Sequence, residues 1–360
     1  MTSVEQASQS RRCAVIYNPT KVSDKFRALM EDSLRRGGWG DTLWLETSAE
    51  DPGRAMTRQA VAEQVDLVIG AGGDGTIRYV ADGLAHSGIP MGLIPAGTGN
   101  LLARNLDLPL EEVDAIGVAL GGQVRPIDLV RITVDDRPAE HFAVMAGIGV
   151  DAMMMDETDE DLKDKVGSAA YFVAAGKALG RLPVRMTVQL DTNRPVRRDA
   201  MLCVIGNVGT LRGNLTLIPG ASPDDGLLDL YIASPRRFRH WVKLGLRLIT
   251  RRAKKDDQVD QRTGKTVRII IDGKDNYQLD GDVVGESTIL FAEIQPGALA
   301  ICVPAEHQRT RTVTWRRAVE TNANTSRTVN SHHAGQALRS TGLLAPQFGV
   351  AARMGLSVSA

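Results

Sequence analysis

The chain has 360 residues, of which 43% are apolar, and its 43 Lys and Arg residues balance 43 Asp and Glu residues. The length predicts two domains with additional sequence, and the zero net charge argues against a nucleic-acid-binding protein that depends on bulk charge. Three widely spaced cysteines favour reduced thiols in a cytosolic protein. The sequence has neither a signal-peptide pattern nor a run of about 20 apolar residues that would span a membrane.

Apolar and amphipathic segments alternate from residue 12 to about residue 129. We predict strands at residues 13–17, 42–45, 66–70 and 91–94, and helices at residues 24–36, 52–64, 77–86, 100–106 and 110–120. Strands separated by helices predict an α/β fold with a doubly wound parallel sheet. Such sheets bind ligands beyond the carboxyl ends of their strands, so the candidate ligand loops are residues 18–20, 72–76 and 95–100.

The second half of the chain consists mainly of short apolar runs, which predict a mostly antiparallel, sandwich-like β-rich domain. We predict its strands at residues 131–134, 142–146, 185–190, 201–205, 228–232, 267–271 and 287–292, and helices near 169–179 and 239–252. The predicted domains are residues 11–129 and 130–297, and the run 298–303 could complete either one. Residues 305–360 are predicted to form a disordered tail, with a docking peptide as the alternative.

The sequence Gly-Gly-Asp-Gly-Thr occupies residues 72–76, directly after a predicted strand and before a predicted helix. Glycines let the backbone approach a ligand closely, and a helix N-terminus directs free N–H groups at an anion. The Asp74 carboxylate would repel phosphates unless a divalent cation or a hydroxyl donor lay between them, so the motif predicts a nucleotide with magnesium. A tight turn capped by Asp74 is the alternative. A second Gly-rich turn, residues 97–100, follows the next strand and strengthens the nucleotide interpretation.

Four motifs in a fixed order carry a resemblance to a known family. Gly-Gly-Asp-Gly-Thr at 72–76 is followed by Pro-Ala-Gly-Thr-Gly-Asn at 95–100, Asp-Asp-Gly-Leu-Leu-Asp at 224–229 and Asp-Gly-Asp at 280–282. Over about residues 12–303 the chain resembles the diacylglycerol kinase catalytic-domain family, the soluble bacterial lipid kinases related to sphingosine kinases. The resemblance implies an α/β nucleotide domain and a β-rich domain, with the active site in the cleft between them.

The resemblance also implies which residues bind the nucleotide. The ATP site would be lined by Asn18, Thr47, Gly72, Gly73, Asp74, Gly75, Thr76, Gly97, Thr98 and Asn100. Thr47 follows the second predicted strand, where a hydroxyl could reach the nucleotide. Its alternative roles are a cap for the helix that begins near residue 52, or a turn residue.

A cation site is implied in the third motif. Asp225 matches the family's cation ligand, and the carbonyl groups of Ser222 and Leu227 are its expected companions. Hard oxygen ligands from one loop suit Mg2+, whereas a solvated Asp-Gly turn before a strand is the alternative. Asp74 is expected to reach magnesium bound to the nucleotide.

The family places its catalytic base in an Asp-Gly-Glu triplet, which here reads Asp-Gly-Asp at residues 280–282. The resemblance implies that Asp282 takes the proton from the lipid hydroxyl while Asp74 acts at the phosphates. The Asp282 side chain is shorter than Glu by one methylene, about 1.5 Å. An Asp-Gly hairpin turn is the alternative interpretation. A second departure is Leu101, where many family members carry an acidic residue, and both departures concern activity and substrate more than fold.

One strongly basic segment spans residues 236–252. As a helix it would carry an apolar stripe that includes Trp241, Leu244 and Leu248, bordered by Arg side chains, which predicts transient contact with an anionic membrane surface. A helix packed on the β-rich domain with a solvated basic face is the alternative.

These features predict an ATP- and Mg2+-dependent lipid kinase that transfers the γ-phosphate of ATP to a lipid alcohol. Diacylglycerol is the default acceptor, giving phosphatidic acid, and sphingoid bases or other lipid alcohols are alternatives. An NAD kinase and a catalytically weakened nucleotide- or membrane-binding relative are the alternative functions. We expect a cytoplasmic protein, peripheral at the inner membrane surface, that binds no nucleic acid, and a homodimer is left open.

Overall fold

The structure, a computed structural model, describes residues 11–149, 182–211, 215–234 and 259–305. The helices predicted near 169–179 and 239–252, the basic segment 236–252 and nearly all of the predicted tail lie outside the described residues. None of the helices within the described ranges is long and apolar enough to cross a membrane.

Four parallel strands form the first half of the fold. They are β1 (Cys13–Tyr17), β2 (Thr42–Glu46), β3 (Leu67–Gly72) and β4 (Met91–Pro95), in the order β4-β3-β1-β2. The accompanying helices are α1 (Phe26–Arg36), α2 (Arg54–Ala62), α3 (Asp74–Leu84), α4 (Leu101–Asn105) and α5 (Glu112–Gly121). Strands β1, β3 and β4 are apolar runs without a polar face, as expected of parallel strands that helices cover on both sides.

Alternate residues of β1 pack against opposite helix layers. Cys13 and Val15 lie in a cluster with α1 and α5, whereas Ala14 and Ile16 lie in a cluster with α2 and α3. Successive side chains of a strand point to opposite faces of a sheet, so this is the doubly wound arrangement that the sequence predicts. The carboxyl ends of all four parallel strands consequently open onto one edge of the sheet.

Antiparallel pairs dominate the second half of the fold. Its strands are β5 (Gln123–Val134), β6 (Glu140–Phe142), β7 (Met145–Ile148), β8 (Val184–Leu190), β9 (Val196–Ala200), β10 (Leu202–Gly206), β11 (Thr210–Leu211), β12 (Leu215–Thr216), β13 (Leu228–Ala233), β14 (Val259–Gly264), β15 (Thr266–Leu279) and β16 (Asp282–Val303). Strands β14, β13, β10, β7, β15 and β16 are successive neighbours. β5 and β6 extend from β16, β8 and β9 extend from β15, and β11 pairs with β12 alone.

The last strand joins the two halves. In β16, residues 299–303 pair antiparallel with β5, and Ile301 also pairs parallel with Met91 of β4. The run 298–303, which the sequence could assign to either half, is therefore a strand that contacts both. Its contact with β4 makes the sheet continuous from the parallel strands into the antiparallel ones.

Several predicted boundaries are wrong: β5 begins at residue 123 and not at 131, and β16 is one strand from residue 282 to 303 that covers the predicted runs 287–292 and 298–303. Helix α3 begins at Asp74 and not at residue 77, because residues 74–76 form its first turn. The strand predicted at 142–146 is two strands, β6 and β7, separated at Ala143 and Val144. The N–H groups of these two residues donate to the carboxylate of Asp280, so they do not continue a strand ladder.

Truncation of Ile301 tests the packing of the joining strand. Ile301 is fully buried between β4 and β5, so Ile301→Ala should leave a cavity and lower the free energy of unfolding by about 2–5 kcal/mol. Val124→Ala on β5 is the control, because Val124 is 53% exposed and its truncation should change stability by no more than about 0.5 kcal/mol. Urea denaturation measures the free energy of unfolding of both variants. Equal losses of stability in Ile301→Ala and Val124→Ala would contradict the burial of Ile301 between β4 and β5.

Candidate active site

The predicted nucleotide-binding residues lie along the carboxyl edge of the parallel sheet. Three hydrogen bonds of 2.9 Å link neighbouring strand ends: Asn18 N–H to the Ala71 carbonyl, Thr47 N–H to the Tyr17 carbonyl, and Ala96 N–H to the Gly72 carbonyl. The loops after β1, β2, β3 and β4 are therefore neighbours in space. This is the edge at which parallel α/β sheets bind ligands.

The two Gly-rich turns contact each other through their backbones. A Cβ atom added to Gly97 would lie 2.6 Å from the Cα atom of Gly73, closer than any real contact. The Asp74 carboxylate links the same turns, because its Oδ1 accepts a 2.6 Å hydrogen bond from the N–H of Leu101. A Cβ atom on Gly99 would collide with this carboxylate. Glycine at 97 is thus required for the close approach of the turns, and glycine at 99 leaves room for the Asp74 carboxylate.

The second turn is held by its own side chains. Asn100, which has a left-handed backbone with φ of 50°, accepts a 2.9 Å hydrogen bond from Gly97 N–H and donates a 2.7 Å bond to the Gly97 carbonyl. Thr98 lies at the exposed tip of this turn. Asn100 therefore shapes the turn, and Thr98 is its exposed member. Leu101 is buried in the apolar core, 4% exposed.

Helix α3 starts at the first Gly-rich turn and has 11 residues. Its N-terminal N–H groups and positive dipole end consequently lie at the carboxyl edge of the sheet, where they favour an anion. Gly72 packs on Thr76, since an added Cβ atom would lie 2.8–3.0 Å from the Thr76 side-chain atoms. Thr76 is 4% exposed, so it acts here as a packing residue of the turn.

Thr47 has a buried hydroxyl group without a hydrogen-bond partner in the described residues. The helix-cap alternative is wrong, because Asp51 performs that role: its carboxylate accepts hydrogen bonds from the N–H groups of Gly53, Arg54 and Ala55 at 2.7–3.0 Å. A buried hydroxyl is seldom left unpaired. Its position beside the Asn18 strand end therefore fits a residue that bonds to a ligand with polar atoms, such as a nucleotide.

The fourth motif, residues 280–282, contains a two-residue hairpin turn, Asp280-Gly281, between β15 and β16. Asp280 and Gly281 have φ angles of 48° and 104°, and Leu279 pairs with Asp282. The Asp-Gly hairpin alternative is therefore correct about the geometry. Positive φ at both turn residues matches the right-handed twist of the flanking strands.

Asp280 fastens this hairpin to the break between β6 and β7. Its carboxylate is 2% exposed and accepts hydrogen bonds from the N–H groups of Ala143, Val144 and Met145, at 3.1, 3.0 and 2.9 Å. Burial raises the pKa of Asp280 to about 6, and Arg78 and the three N–H groups oppose that rise. Asp280 is thus a buried anchor of the turn.

Asp282, the first residue of β16, reaches helix α3. Its Oδ2 atom lies 2.8 Å from the position that a Cβ atom on Gly75 would occupy. The side chain is 53% exposed, and Oδ2 lies 3.6 Å from Nη2 of Arg78. The fold therefore brings the fourth motif against the first, with an exposed carboxylate beside the first turn of α3.

Arg78 and Glu140 are residues of this region that the motifs did not identify. Arg78 is 3% exposed, and its Nη1 atom lies 3.2 Å from Oε2 of Glu140. Arg78 lies one helical turn after Asp74, so it shares a face with the Gly-rich turn. That spacing was the available sequence signal, whereas no local pattern connects Glu140 to this region.

The predicted cation loop is anchored by Asp128, which the sequence motifs also missed. The Asp128 carboxylate is 3% exposed and accepts hydrogen bonds from the N–H groups of Gly226 and Gly297, at 2.7 and 2.8 Å. Gly226 has a φ of 72°, as the sharp turn requires. Asp225 is exposed, and its Oδ1 accepts a 2.9 Å bond from Leu227 N–H.

The cation loop and the Gly-rich turns lie at different ends of β4. Gly297 precedes Ile301, which pairs with Met91 at the amino end of β4, and His86 N–H donates to the Ala298 carbonyl at 2.8 Å. A cation held by Asp225 would therefore lie away from the carboxyl edge. Burial, followed by the nearby Asp225 charge, raises the pKa of Asp229 to about 6, while a hydrogen bond from Gln261 opposes it.

The donor atoms of the cation loop fit magnesium. Asp225 supplies an exposed carboxylate, and Ser222 and Leu227 supply carbonyl groups on the same short turn, whereas the Ser222 hydroxyl donates to Asp224 at 2.6 Å. Oxygen ligands of this kind suit a hard cation. Within the described residues, no three His, Cys, Asp or Glu side chains are grouped so that they could hold a metal ion. The cation loop, with one carboxylate and two carbonyl groups, is a different kind of site.

Substitution of Gly97 tests the contact between the turns. Gly97→Ala must separate the turns, because the colliding atom belongs to the backbone of Gly73, and binding of a fluorescent ATP analogue should weaken about tenfold or more. Gly117→Ala is the matched control, since no atom lies within 4 Å of the added Cβ. Unchanged binding in Gly97→Ala would show that the contact does not shape the site.

The pH dependence of stability tests the burial of Asp280. Because its folded pKa is about 6 and its unfolded pKa is near 4, the folded protein holds a proton there that the unfolded chain has released. The stabilisation is full below pH 4 and is lost as the pH rises through 6, a change of roughly 3 kcal/mol. As the pH rises from below 4 to above 6, the unfolding free energy of the wild type should therefore fall by about that amount relative to that of Asp280→Asn. Urea denaturation at each pH measures both values. A difference that is constant with pH would refute a raised pKa.

Comparisons with known proteins agree with this architecture. Residues 12–132 match the family model of the diacylglycerol kinase catalytic domain, and residues 142–303 match the YegS C-terminal NAD kinase beta sandwich-like domain. The predicted fold class, an α/β half followed by a mostly antiparallel sandwich-like half, is confirmed. The exact domain boundaries stay predictions.

Named relatives and a solved structure cover most of the chain. A diacylglycerol kinase from Mycobacterium tuberculosis is 32% identical over 255 residues, which cover 70% of this chain and 81% of the relative. One from Bacillus subtilis is 27% identical over 282 residues, 76% of this chain and 91% of that one. The structure of a diacylglycerol kinase from Bacillus anthracis shares the fold, with a TM-score of 0.61 at 20% identity, over 82% of this chain and 98% of the other. The chain therefore belongs to the diacylglycerol kinase family, and it is a lipid kinase.

Proposed function

We propose that this lipid kinase transfers the γ-phosphate of ATP to the hydroxyl of diacylglycerol and that the reaction requires Mg2+. Membership of a kinase family implies a nucleotide donor, and the Mycobacterium and Bacillus relatives are named diacylglycerol kinases. The observation that carries the proposal is the meeting of the Asp282 carboxylate with the first turn of α3 at Gly75. A carboxylate beside a phosphate-binding turn is what phosphorylation of an alcohol requires.

The triphosphate is assigned to the carboxyl edge of the parallel sheet. The N-terminal N–H groups of α3 and the Gly-rich turn 72–76 would bind its anionic oxygens. The exposed Thr98 hydroxyl and the unpaired Thr47 hydroxyl are the side-chain donors on the same edge. Asn18 and Asn100 hold their loops, since the side-chain oxygen of each accepts hydrogen bonds from its own turn.

Asp282 is assigned as the base. Its carboxylate is half exposed, so a lipid hydroxyl can approach it from solvent or from a membrane surface. It accepts the hydroxyl proton as the new oxygen–phosphorus bond forms and the bond to the leaving ADP oxygen breaks. The short side chain suffices in this proposal because the hairpin already brings Oδ2 to within contact distance of the Gly75 turn.

Magnesium, when bound, would neutralise charge on the phosphates. Asp74 is the carboxylate nearest the Gly-rich turns, and its Oδ1 already accepts the Leu101 N–H, so it both shapes the turns and offers oxygen to the site. Asp225 with the Ser222 and Leu227 carbonyls is the second candidate site, where a cation would stabilise the β-rich half. The transient membrane contact of residues 236–252 stays a prediction on the sequence alone.

Transfer of radiolabelled phosphate tests the proposal. Full-length protein with γ-labelled ATP, Mg2+ and mixed micelles of diacylglycerol should form labelled phosphatidic acid. Asp282→Asn should lower kcat about 100-fold or more, because the amide cannot accept the proton. Asp282→Glu, the matched control, keeps a carboxylate that can accept the proton, as in the Asp-Gly-Glu triplet of the family, and should lose far less activity than Asp282→Asn.

Parallel reactions with sphingosine, a polyprenyl alcohol and NAD identify the acceptor. Stronger labelling of any of these than of diacylglycerol would overturn the proposed substrate. Full activity of Asp282→Asn would overturn the proposed base, whatever the acceptor.

A further inference from the structure

Arg78 is a buried cation between the helix that bears the Gly-rich turn and the hairpin that bears Asp282. Its side chain is only 3% exposed, and its guanidinium lies 3.2 Å from Oε2 of Glu140 and 3.6 Å from Oδ2 of Asp282. The guanidinium carbon also lies 4.4 Å from the centre of the Tyr79 ring. Ion pairing on two sides and an aromatic face on a third leave the Arg78 side chain little conformational freedom.

The groups around Arg78 come from every element packed against it. Nη2 of Arg54, on α2, lies 3.1 Å from Oε2 of Glu140, the atom that Arg78 also contacts, and 3.5 Å from Oδ2 of Asp82. The other Asp82 oxygen, Oδ1, lies 3.0 Å from Nδ1 of His141. Asp280 and Asp282 face Arg78 from the hairpin, and Tyr79 and Tyr277 also interact with it electrostatically. Within this set Asp282 is the carboxylate that is half exposed, while Glu140 and Asp82 are mostly buried.

We infer that Arg78 is the positioning residue for Asp282, holding its carboxylate over Gly75 where the lipid hydroxyl must be deprotonated. The inference rests on the proposed role of Asp282 as the base. Arg78 does not contact the reacting atoms in this assignment. It acts through Asp282.

The geometry of the hairpin explains why such a residue is needed. Asp282 directly follows a two-residue turn, and an exposed aspartate in that position can adopt several rotamers. Asp280 fixes the turn but not the side chain two residues later. A fixed cation on α3 selects the rotamer that points to α3. Since a misplacement of about 1 Å can cost roughly 100-fold in rate, this selection matters most for a base with a short side chain.

The contact has room to tighten. At 3.6 Å the Arg78–Asp282 pair is an ion pair but is longer than a hydrogen bond. Nε of Arg78 is buried without a hydrogen-bond partner in the part of the chain that the structure describes. A buried guanidinium whose N–H group has no hydrogen-bond partner favours an additional acceptor. It therefore attracts whichever neighbouring carboxylate can move towards it. Asp282 is that carboxylate.

Arg78→Met tests the inference through its separate effects on kcat and KM. Loss of the cation should lower kcat about 10–100-fold with less than about a threefold change in the KM for ATP. Arg78→Lys, which keeps the charge, should restore part of kcat. A rise in the KM for ATP as large as the fall in kcat would overturn the positioning role.

Arg54→Met is the matched control. Arg54 shares Glu140 with Arg78 and lies 5.1 Å from the Tyr79 ring centre, so its loss perturbs the same network. No ion pair joins it to Asp282 within the described residues. This variant should therefore leave kcat close to the wild-type value. A loss of kcat in Arg54→Met equal to that in Arg78→Met would assign the effect to the network as a whole and overturn the inference.

A cycle of variants covers the case in which Arg78→Met fails to fold. Arg78→Lys moves the positive charge, and Asp282→Glu lengthens the side chain whose carboxylate contacts that charge. When the two substitutions are combined, their effects on kcat should therefore be strongly non-additive. Additive effects would overturn the inference. If Asp282→Asn is fully active, the proposed base is wrong. If Asp282→Asn is inactive while Arg78→Met has wild-type kcat, only the positioning role is wrong.

Discussion

The buried carboxylate of Asp280 is the interaction on which the candidate site depends. It accepts hydrogen bonds from three consecutive backbone N–H groups at residues 143–145 and so fixes the tip of the β15–β16 hairpin. Two of these residues, Ala143 and Val144, separate β6 from β7. The same turn leads directly into Asp282, whose carboxylate lies beside Gly75 of α3. A hydrogen-bonded turn in the β-rich half thus sets the position of a carboxylate against the Gly-rich turn of the α/β half.

Strand β16 meets the α/β half at both of its ends. Near its carboxyl end Ile301 pairs with Met91 in the parallel sheet, and at its amino end Asp282 lies beside Gly75 and Arg78. The apolar contact stabilises the junction, and the polar contact places the Asp282 carboxylate beside α3. Since one strand carries both contacts, the placement of Asp282 relative to the Gly-rich turns follows from the continuity of the sheet. Strand β16 thereby joins the α/β half of this lipid kinase to its sandwich-like half.

Local patterns in the sequence predicted much of this structure. Apolar periodicity identified the parallel strands and their helices to within a few residues, and the two Gly-rich turns lie together at the carboxyl edge of the sheet, as predicted. The residues that patterns missed act over long separations: Asp128 bonds to residues 98 and 169 positions later, and Asp280 bonds back across 135–137 positions. A buried polar contact depends on tertiary packing, which periodicity does not report. Arg78 was missed for the same reason, since its partners Glu140 and Asp282 lie on other elements.

The most direct test of the central claim is a crystal structure of the protein with Mg2+ and a non-hydrolysable ATP analogue. The α3 N-terminus, the turn 72–76 and Thr98 should surround the triphosphate. The Asp282 carboxylate should lie roughly 5–6 Å from the γ-phosphorus, which leaves room for one hydroxyl oxygen between them. A triphosphate bound away from the carboxyl edge of the parallel sheet, or a γ-phosphorus more than about 10 Å from Asp282, would contradict the assignment of Asp282 as the base.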